Sequence, residues 1–361
     1  MATIRVLRVI SHLDVGGVQR QMLLAFRGMR DQGIEPECCV IHYRGRMAEQ
    51  FEAEGFPVHQ VKFRSRIDPL GVLRLRMLVH RRRIDIVHSH MYNANIGVNA
   101  AMIARGRVKL VNGYHNQILV KSDRQAQRVK ASANRPDAFV AVGDSVKASL
   151  MELSVPGDRI TVIHNGVVGP ETVTPLPKRE PGEPLHLVWA GRYVNQKRVE
   201  FFAEIAAACR AAGVPVHLTI LGDGPGFSKV KRAIEAAGVQ DCVEQAGVTT
   251  DVFSWLAKSD VFVSASYREG FPNALLEACA AGRPFVVSDI EPHRELLGGS
   301  TAGVLVPQDA AKWAEVLGEL AHDRARLERM AAESLALGRA FSIEATCEKT
   351  VALYRRLMGS A

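Results

Sequence analysis

The ten residues Arg268-Glu-Gly-Phe-Pro-Asn-Ala-Leu-Leu-Glu277 place two carboxylates where they can serve one ligand. They follow an apolar run, 261–265, that reads as a strand, and they open a helical pattern over 273–281. Glu269 then stands at the mouth of the strand, and Glu277 lies one turn inside the helix. Backbone N–H groups at a helix start lack internal partners and receive anions. Carboxylates beside such an anion site suit a ligand that carries both hydroxyls and phosphates. Trp189-Ala-Gly-Arg-Tyr-Val-Asn-Gln-Lys197, after another apolar run, adds Arg192 and Lys197. A fork donor together with a point charge is what a diphosphate takes. Taken singly, each of these residues reads equally well as an ordinary surface charge.

Glycines and histidines mark further positions. Leu221-Gly-Asp-Gly-Pro-Gly226 has its third glycine one residue early for a dinucleotide fingerprint, and it does not follow the first strand of its half. A tight strand-to-helix turn is the better reading, which sets aside a nicotinamide-dependent oxidoreductase. In the first half, Ser11-His-Leu-Asp-Val-Gly-Gly-Val-Gln19 joins a strand to a helix, and Gly16 and Gly17 let a backbone approach a phosphate or sugar closely. Val87-His-Ser-His90 and Val111-Asn-Gly-Tyr-His-Asn116 each end a strand on a histidine, which either bonds a ligand hydroxyl or simply packs.

The elements that must position these residues alternate along the chain. Apolar runs at 4–10, 37–42, 84–88, 108–111 and 138–142 read as strands, with helical patterns such as 18–32 and 145–153 between them. A second series begins at 185–190 and continues at 216–221, 243–245, 261–264 and 284–287. Alternation of this kind builds parallel sheets from βα units. The expected fold is α/β, two doubly wound Rossmann-like domains facing across a cleft, with ligands at the C-terminal strand ends. Five prolines within 168–184 cannot join a strand or helix interior. The expected division is therefore a first domain over 1–168, a linker over 169–184 and a second domain over 185–345. A last helix at 346–361 is expected to return to the first domain.

Composition excludes several classes. Of 361 residues, 47% are apolar and 23% charged, as in ordinary globular proteins. No apolar stretch approaches the ~18 residues of a spanning helix. Arg5 and Arg8 interrupt what a signal peptide would need as its apolar core. The six cysteines show no CxxC spacing, so neither a zinc site nor a disulfide framework is indicated. Aromatic residues are only 6% and none interleaves with the basic runs, which argues against a nucleic-acid partner.

The order of these motifs, from the Gly-Gly loop through the strand-end His, Asn165-Gly166, Gly191-Arg192…Lys197, Leu221-Gly-Asp-Gly-Pro and Glu269-Gly-Phe-Pro…Glu277, resembles the retaining GT-B glycosyltransferases of family four (group 1) from Ile4 to about Pro307. The resemblance implies transfer of a sugar from a UDP- or GDP-sugar to a lipid-linked or glycan acceptor, with retention, in cell-surface polysaccharide, lipopolysaccharide or glycolipid biosynthesis. It implies no metal and no other cofactor. By position, Arg192 and Lys197 would hold the diphosphate and Glu277 the ribose. Glu269 would hold the transferred sugar, with Gly270, Phe271, Pro272 and Asn273 around it. His115 would lie beside the donor sugar, and Gly16 and Gly17 would close on the phosphates or frame the acceptor. Gln19 stands where many relatives carry Glu, and Gln196-Lys197-Arg198 replaces a commoner Lys-Gly, which loosens the loop geometry. Two alternatives share the architecture: a nucleotide-sugar 2-epimerase and a non-catalytic sugar-nucleotide-binding protein.

Charge divides unevenly within a net +8. Residues 1–170 hold 25 Lys and Arg against 14 Asp and Glu, whereas 171–361 hold 21 against 24. Lys62, Arg64, Arg66, Arg74, Arg76, Arg81, Arg82 and Arg83 lie close together with Asp68 as the only acid among them, and Lys121, Arg124, Arg128 and Lys130 follow. The bland reading is a solvated helix face. The functional one is an acceptor or membrane face, which would make a cytoplasmic protein peripheral on the inner, anionic side of a membrane.

Overall fold

Period-two patterning in the first strand, β1 (Ile4–His12), turns Val6 and Ile10 to one side and Leu7 and Val9 to the other, and all four are fully buried. A strand buried on both sides needs helices on both, which parallel sheets supply through their crossovers. The computed structural model describes residues 3–65, 68–118, 127, 129–131, 134–180 and 182–359. They divide into two compact units, residues 1–166 with 343–361, and residues 167–342.

The first unit holds β1 with β2 (Ile34–Tyr43), β3 (Val58–Gln60), β4 (Ile86–His90), β5 (Lys109–Tyr114), β6 (Ala138–Ala141) and β7 (Ile160–Val162), in the order β3-β2-β1-β4-β5-β6-β7. The second holds β8 (Leu185–Ala190), β9 (Val216–Leu221), β10 (Val243–Gly247), β11 (Val261–Ser264), β12 (Phe285–Ser288) and β13 (Gly303–Val306), in the order β10-β9-β8-β11-β12-β13. Every pairing is parallel. Each unit is the doubly wound α/β architecture expected, with its strand order reversing beside β1 in one and β8 in the other. Ligand sites of such sheets lie at those reversals. The sequence reading did not include β3, β7 and β13, edge strands of three or four residues whose patterns are too short to show a period.

Two segments depart from the expected boundaries. The proline-rich stretch does not run free as a linker. Arg283, fully buried, donates from Nη1 to Ser259 O at 3.2 Å and to Pro175 O at 3.3 Å, while Nη2 bonds Thr174 O and Oγ1. Leu176 joins the second unit's core. Carbonyls that prolines leave outside any ladder thus find one guanidinium. Burial, partly offset by Asp260, pushes Arg283 down to about 10. The last helix, Ile343–Met358, begins earlier than 346 and packs on the helix Gly17–Arg30 of the first unit. Contact there is close: a Cβ on Gly28 would stand 2.6 Å from Cys347 Sγ.

Candidate functional site

In the second unit, the loop after β8 is held from two sides. The glycine-rich turn after β9 is its bed. Tyr193 N donates to Asp223 O at 3.0 Å, and Gly226 N donates to Tyr193 O at 2.9 Å. A Cβ on Gly222 would stand 1.9 Å from Gly191 O. These glycines therefore serve a close backbone approach, in keeping with a turn and not a dinucleotide site. On the other side, Tyr267 N donates to Gln196 O at 2.8 Å, which ties this loop to the one leading to the helix Asn273–Ala280. Arg198 takes the left-handed conformation, φ +47°, that a glycine there would adopt freely. Its guanidinium lies 3.6 Å from the centre of the Phe201 ring and also bonds Gln308 Oε1. Stacking thus offsets the backbone cost that the unusual Arg introduces.

Lys197 and Glu269 meet here. Lys197 Nζ lies 2.5 Å from Glu269 Oε1, and Ser266 Oγ donates to the same oxygen at 2.8 Å. Glu269 is 6% exposed, and its Oε2 accepts no hydrogen bond from the described residues. Ser266 is itself fixed, since its carbonyl accepts from Ser288 Oγ at 2.6 Å and from Gln308 Nε2 at 3.2 Å. His293 Nδ1 donates in turn to Ser288 O at 2.7 Å, and burial lowers that imidazole's pKa. Ser266, Ser288, His293 and Gln308 were missed by sequence reasoning, because they support the pair from separate strand ends and share no motif.

Arg192 is exposed on the same loop as Lys197, and among the described residues nothing accepts from its guanidinium. The helix Asn273–Ala280 starts at Pro272 with no side-chain cap and no acid in its first turn, which leaves its end suited to an anion. Gly270, Phe271 and Pro272 are buried, Phe271 packing on Phe341 at 5.4 Å between ring centres. Asn273 and Glu277 are partly exposed on that helix, Glu277 one turn in.

In the first unit, Gly16 is extended, not left-handed, and starts the helix Gly17–Arg30 without a side-chain cap. Gln19 is buried and donates from Nε2 to His12 O at 3.2 Å, so the residue that departs from the common Glu holds the Gly-Gly loop to β1. His115, after β5, has His90 Nδ1 2.9 Å from its Nε2. His90 stacks on His88 at 4.3 Å between ring centres, and His88 Nδ1 lies 2.7 Å from Tyr354 Oη of the last helix. Arg8 Nη2 donates to that same hydroxyl at 3.3 Å. Burial, with Arg8 nearby, pushes His115 down to about 4 and puts His88 and His90 well below the usual histidine range. Burial thus favours the neutral form of all three rings. The part that Arg8 and Tyr354 play beside the histidines is not legible in the sequence, because β1 and the last helix bring them together across 346 positions.

The basic face is smaller than its residue count. Arg82 is consumed by Glu37, with Nη2 2.7 Å from Oε1. Burial works against that carboxylate's charge, yet hydrogen bonds from His59 and Arg82 hold Glu37 at about 2. Arg64, Arg74, Arg76, Arg81 and Arg83 are exposed. Arg66, Lys121, Arg124 and Arg128 lie outside the described residues. Among the described residues no helix is long and apolar enough to cross a membrane, and no three or more His, Cys, Asp or Glu side chains converge as a metal ion would require.

Comparison with known proteins connects both units to one family. Residues 15–168 match the model of glycosyltransferase family 4, and residues 184–323 that of the glycosyl transferases group 1. The lipopolysaccharide core biosynthesis mannosyltransferase of Rhizobium meliloti is 30% identical over 240 residues, which cover 62% of this chain and 67% of that one. A D-inositol 3-phosphate glycosyltransferase of Thermobispora bispora is 24% identical over 94% of this chain and 90% of its own. The chain spans about half (46%) of a glycosyltransferase assigned to colanic acid biosynthesis in Escherichia coli, at 29% identity over 49% of its own length. In fold it is similar to Anabaena HepE, solved in complex with UDP, with a TM-score of 0.85, 16% identity and coverage of 98% and 100%. It is also similar to a lipopolysaccharide outer core galactosyltransferase, with a TM-score of 0.76, 17% identity and the same coverage. These neighbours are GT-B glycosyltransferases, and the chain belongs to the group 1, family 4 glycosyltransferases.

Proposed function

We propose that this glycosyltransferase moves a sugar from a UDP- or GDP-sugar to a lipid-linked or glycan acceptor, with retention and without a metal, in cell-surface polysaccharide, lipopolysaccharide or glycolipid synthesis. The observation that carries the reading is the Lys197–Glu269 pair, fixed by Ser266 beside an uncapped helix start and an Arg192 that has no partner among the described residues. Structural neighbours solved with UDP and with UDP-glucose support a nucleoside diphosphate sugar as donor. Relatives named for lipopolysaccharide core and colanic acid biosynthesis support the pathway class.

In this reading the bond between the anomeric carbon and the diphosphate oxygen breaks, and that oxygen gains negative charge. Arg192, Lys197 and the helix N–H groups stabilise the growing charge more than the ground state, which is what accelerates the step. The acceptor oxygen bonds to the anomeric carbon on the face the diphosphate leaves, and its proton passes to the departing phosphate oxygen. Glu269 Oε2 accepts from donor-sugar hydroxyls, and Glu277 from the ribose. His115, neutral, offers the sugar a hydrogen bond without adding a charge.

A thermal-shift panel of UDP-, GDP- and ADP-sugars identifies the donor, since a ligand at ~100 times its Kd adds about 2.7 kcal/mol. Release of nucleoside diphosphate that requires acceptor, undiminished by a chelator and giving a product of unchanged anomeric configuration by NMR, is the expected result. Release or sugar inversion at C2 without acceptor points to the epimerase, and binding without release to a catalytically silent protein.

A further inference from the structure

Two neighbouring strand ends of the first unit are shaped to hold a pair of imidazoles. β4 ends on His90, which stands opposite Gly113 of β5, and His115 follows two residues on. A Cβ on Gly113 would stand 3.0 Å from His90 Nδ1 and 3.0 Å from His88 Nε2, so this glycine clears the space in which the rings meet. Met91, the next residue after His90, has φ +71° and ψ 153°, a region that ordinary side chains rarely adopt. Met91 N donates to Gly113 O at 3.0 Å, and Asn95 N donates to Met91 O at 3.0 Å. Asn95 Nδ2 adds a second bond to Gly113 O at 3.3 Å. Backbone strain persists where its surroundings over-determine it, and here it fixes where His90 stands.

Donor and acceptor counts within the cluster assign its protons. Arg8 can only donate, so its Nη2 takes one lone pair of Tyr354 Oη at 3.3 Å. Tyr354 is fully buried, and its single hydrogen finds an acceptor in His88 Nδ1 at 2.7 Å, which leaves the His88 proton on Nε2. His90 Nδ1 and His115 Nε2 are 2.9 Å apart, and one of the two carries the shared hydrogen. His88 Nε2, His90 Nε2 and His115 Nδ1 are buried with no partner among the described residues. Were His115 Nε2 the donor, His90 Nε2 would become a second unpaired N–H beside that of His88, in a cluster that already holds the Arg8 cation. An unpaired lone pair there costs less. The shared hydrogen therefore sits on His90 Nδ1, and His115 keeps its own on Nδ1, the nitrogen left to a ligand.

We propose that His90 is a positioning residue for sugar transfer: by donating from Nδ1 to His115 Nε2 it fixes His115 as the Nδ1–H tautomer, which offers the transferred sugar a donor and not an acceptor. The proposal rests on the reading of His115 as a donor-sugar contact, and adds which nitrogen makes that contact, with what polarity, and what sets it. Burial, which lowers the pKa of both rings, serves the same end. An imidazolium would donate from both nitrogens and erase the distinction.

Long-range proton–nitrogen NMR correlation on the full chain with isotope-labelled histidine reads the tautomer directly, and His115→Gln assigns the signals. Wild type at neutral pH should show His115 protonated on Nδ1. His90→Leu, close to histidine in volume, should release the ring to the Nε2–H form that free histidine favours. It should also lower kcat on the order of 10- to 100-fold, with the donor KM little changed. His90→Asn is smaller, but its amide nitrogen stands about where Nδ1 does, so it should restore the Nδ1–H form and most of kcat. A packing role would give the opposite order, with His90→Leu the better substitute. The wild-type spectrum decides even if His90→Leu does not fold. If His115→Ala keeps wild-type turnover, the donor-sugar role of His115 fails and the proposal falls with it. If His115→Ala loses turnover, three results overturn the proposal alone: a wild-type His115 protonated on Nε2, an undiminished kcat in His90→Leu, or a His90→Asn no better than His90→Leu.

Discussion

Lys197 Nζ and Glu269 Oε1 lie 2.5 Å apart although 72 positions separate them in the chain. The cation proposed for the diphosphate is held by the carboxylate proposed for the transferred sugar, so both charges are in place before a donor arrives. Such preplacement avoids reorganisation when charge develops. Arg192, by contrast, is poised on the same loop with no partner among the described residues.

Arg192→Ala should therefore leave stability within about 0.5 kcal/mol of wild type, as exposed and unpartnered residues do. Lys197→Ala should cost somewhat more, because Glu269 keeps only Ser266. In turnover both variants should lose roughly 30- to 1000-fold, the equivalent of about 2–4 kcal/mol of transition-state stabilisation. Melting curves and single-turnover assays separate the two effects, and wild-type turnover in either folded variant would remove the diphosphate role.

Glu269 and Glu277 should divide the work. Glu277 sits on the helix where a ribose contact is felt equally before and during bond breaking, so Glu277→Gln should raise KM with kcat nearly kept. Glu269→Gln should lower kcat, since a contact to the sugar changes as its anomeric carbon gains positive character. Steady-state kinetics on both variants decides. If both alter KM alone, the division is wrong.

Much of this was legible before any coordinates. Strand and helix alternation predicted both parallel sheets, because an apolar run buried on two sides leaves a mark that length and turn residues confirm. Motifs contiguous in the chain, such as 189–197 and 268–277, were legible for the same reason. Contacts between distant segments were not: His88 and Tyr354 meet across 266 positions. Nor could charge alone separate Arg82, whose guanidinium holds Glu37, from Arg74 and Arg81, which remain exposed. Prolines at 175 and 177 correctly excluded a strand interior, yet said nothing of Arg283 and Arg324, to which their carbonyls bond.

The histidine cluster makes stability depend on pH in one window. Folded His115 titrates at about 4, and His88 and His90 lie well below the usual range, whereas unfolded histidines titrate near 6.5. Below ~6.5 the unfolded chain binds protons that the folded one does not, so stability is full above that pH and falls as pH drops toward 4. Each histidine contributes up to about 1.4 kcal/mol per pH unit. Glu37, held at about 2, contributes only as pH falls below ~4.5, so the range from 6.5 to 4.5 reports the buried histidines, the three of this cluster together with His293, which burial also lowers. Melting temperatures should decline across that range in wild type and less steeply in His90→Asn. Parallel profiles would show that these rings do not control it.

Gly222 tests whether the turn after β9 is only a bed for the diphosphate loop. Its φ is +125°, a conformation closed to ordinary side chains, and a Cβ would stand 1.9 Å from Gly191 O. The obstacle is backbone on the far side, so no rotamer can relieve it. Gly222→Ala must push the loop 191–198 away from β9 or break the bond from Gly191 N to Leu221 O, which is 3.0 Å long. Either route moves Arg192 and Lys197 together. Overpacking of this kind costs about 1–3 kcal/mol, and the positive φ adds about as much again. The second unit's core, built around Trp189, Phe202 and Trp313, is large enough for the fold to survive at a lower melting temperature. The expected phenotype is a folded protein whose thermal shift with the donor is mostly lost, because both cations move off the diphosphate together and their charge-assisted hydrogen bonds to it weaken. Gly238→Ala is the control: it has a positive φ of +64° but nothing within 4 Å of its added Cβ, so it should lose stability and keep the donor shift. Equal donor shifts in both variants would mean that the glycine-rich turn serves stability alone and does not set the geometry of the loop above it.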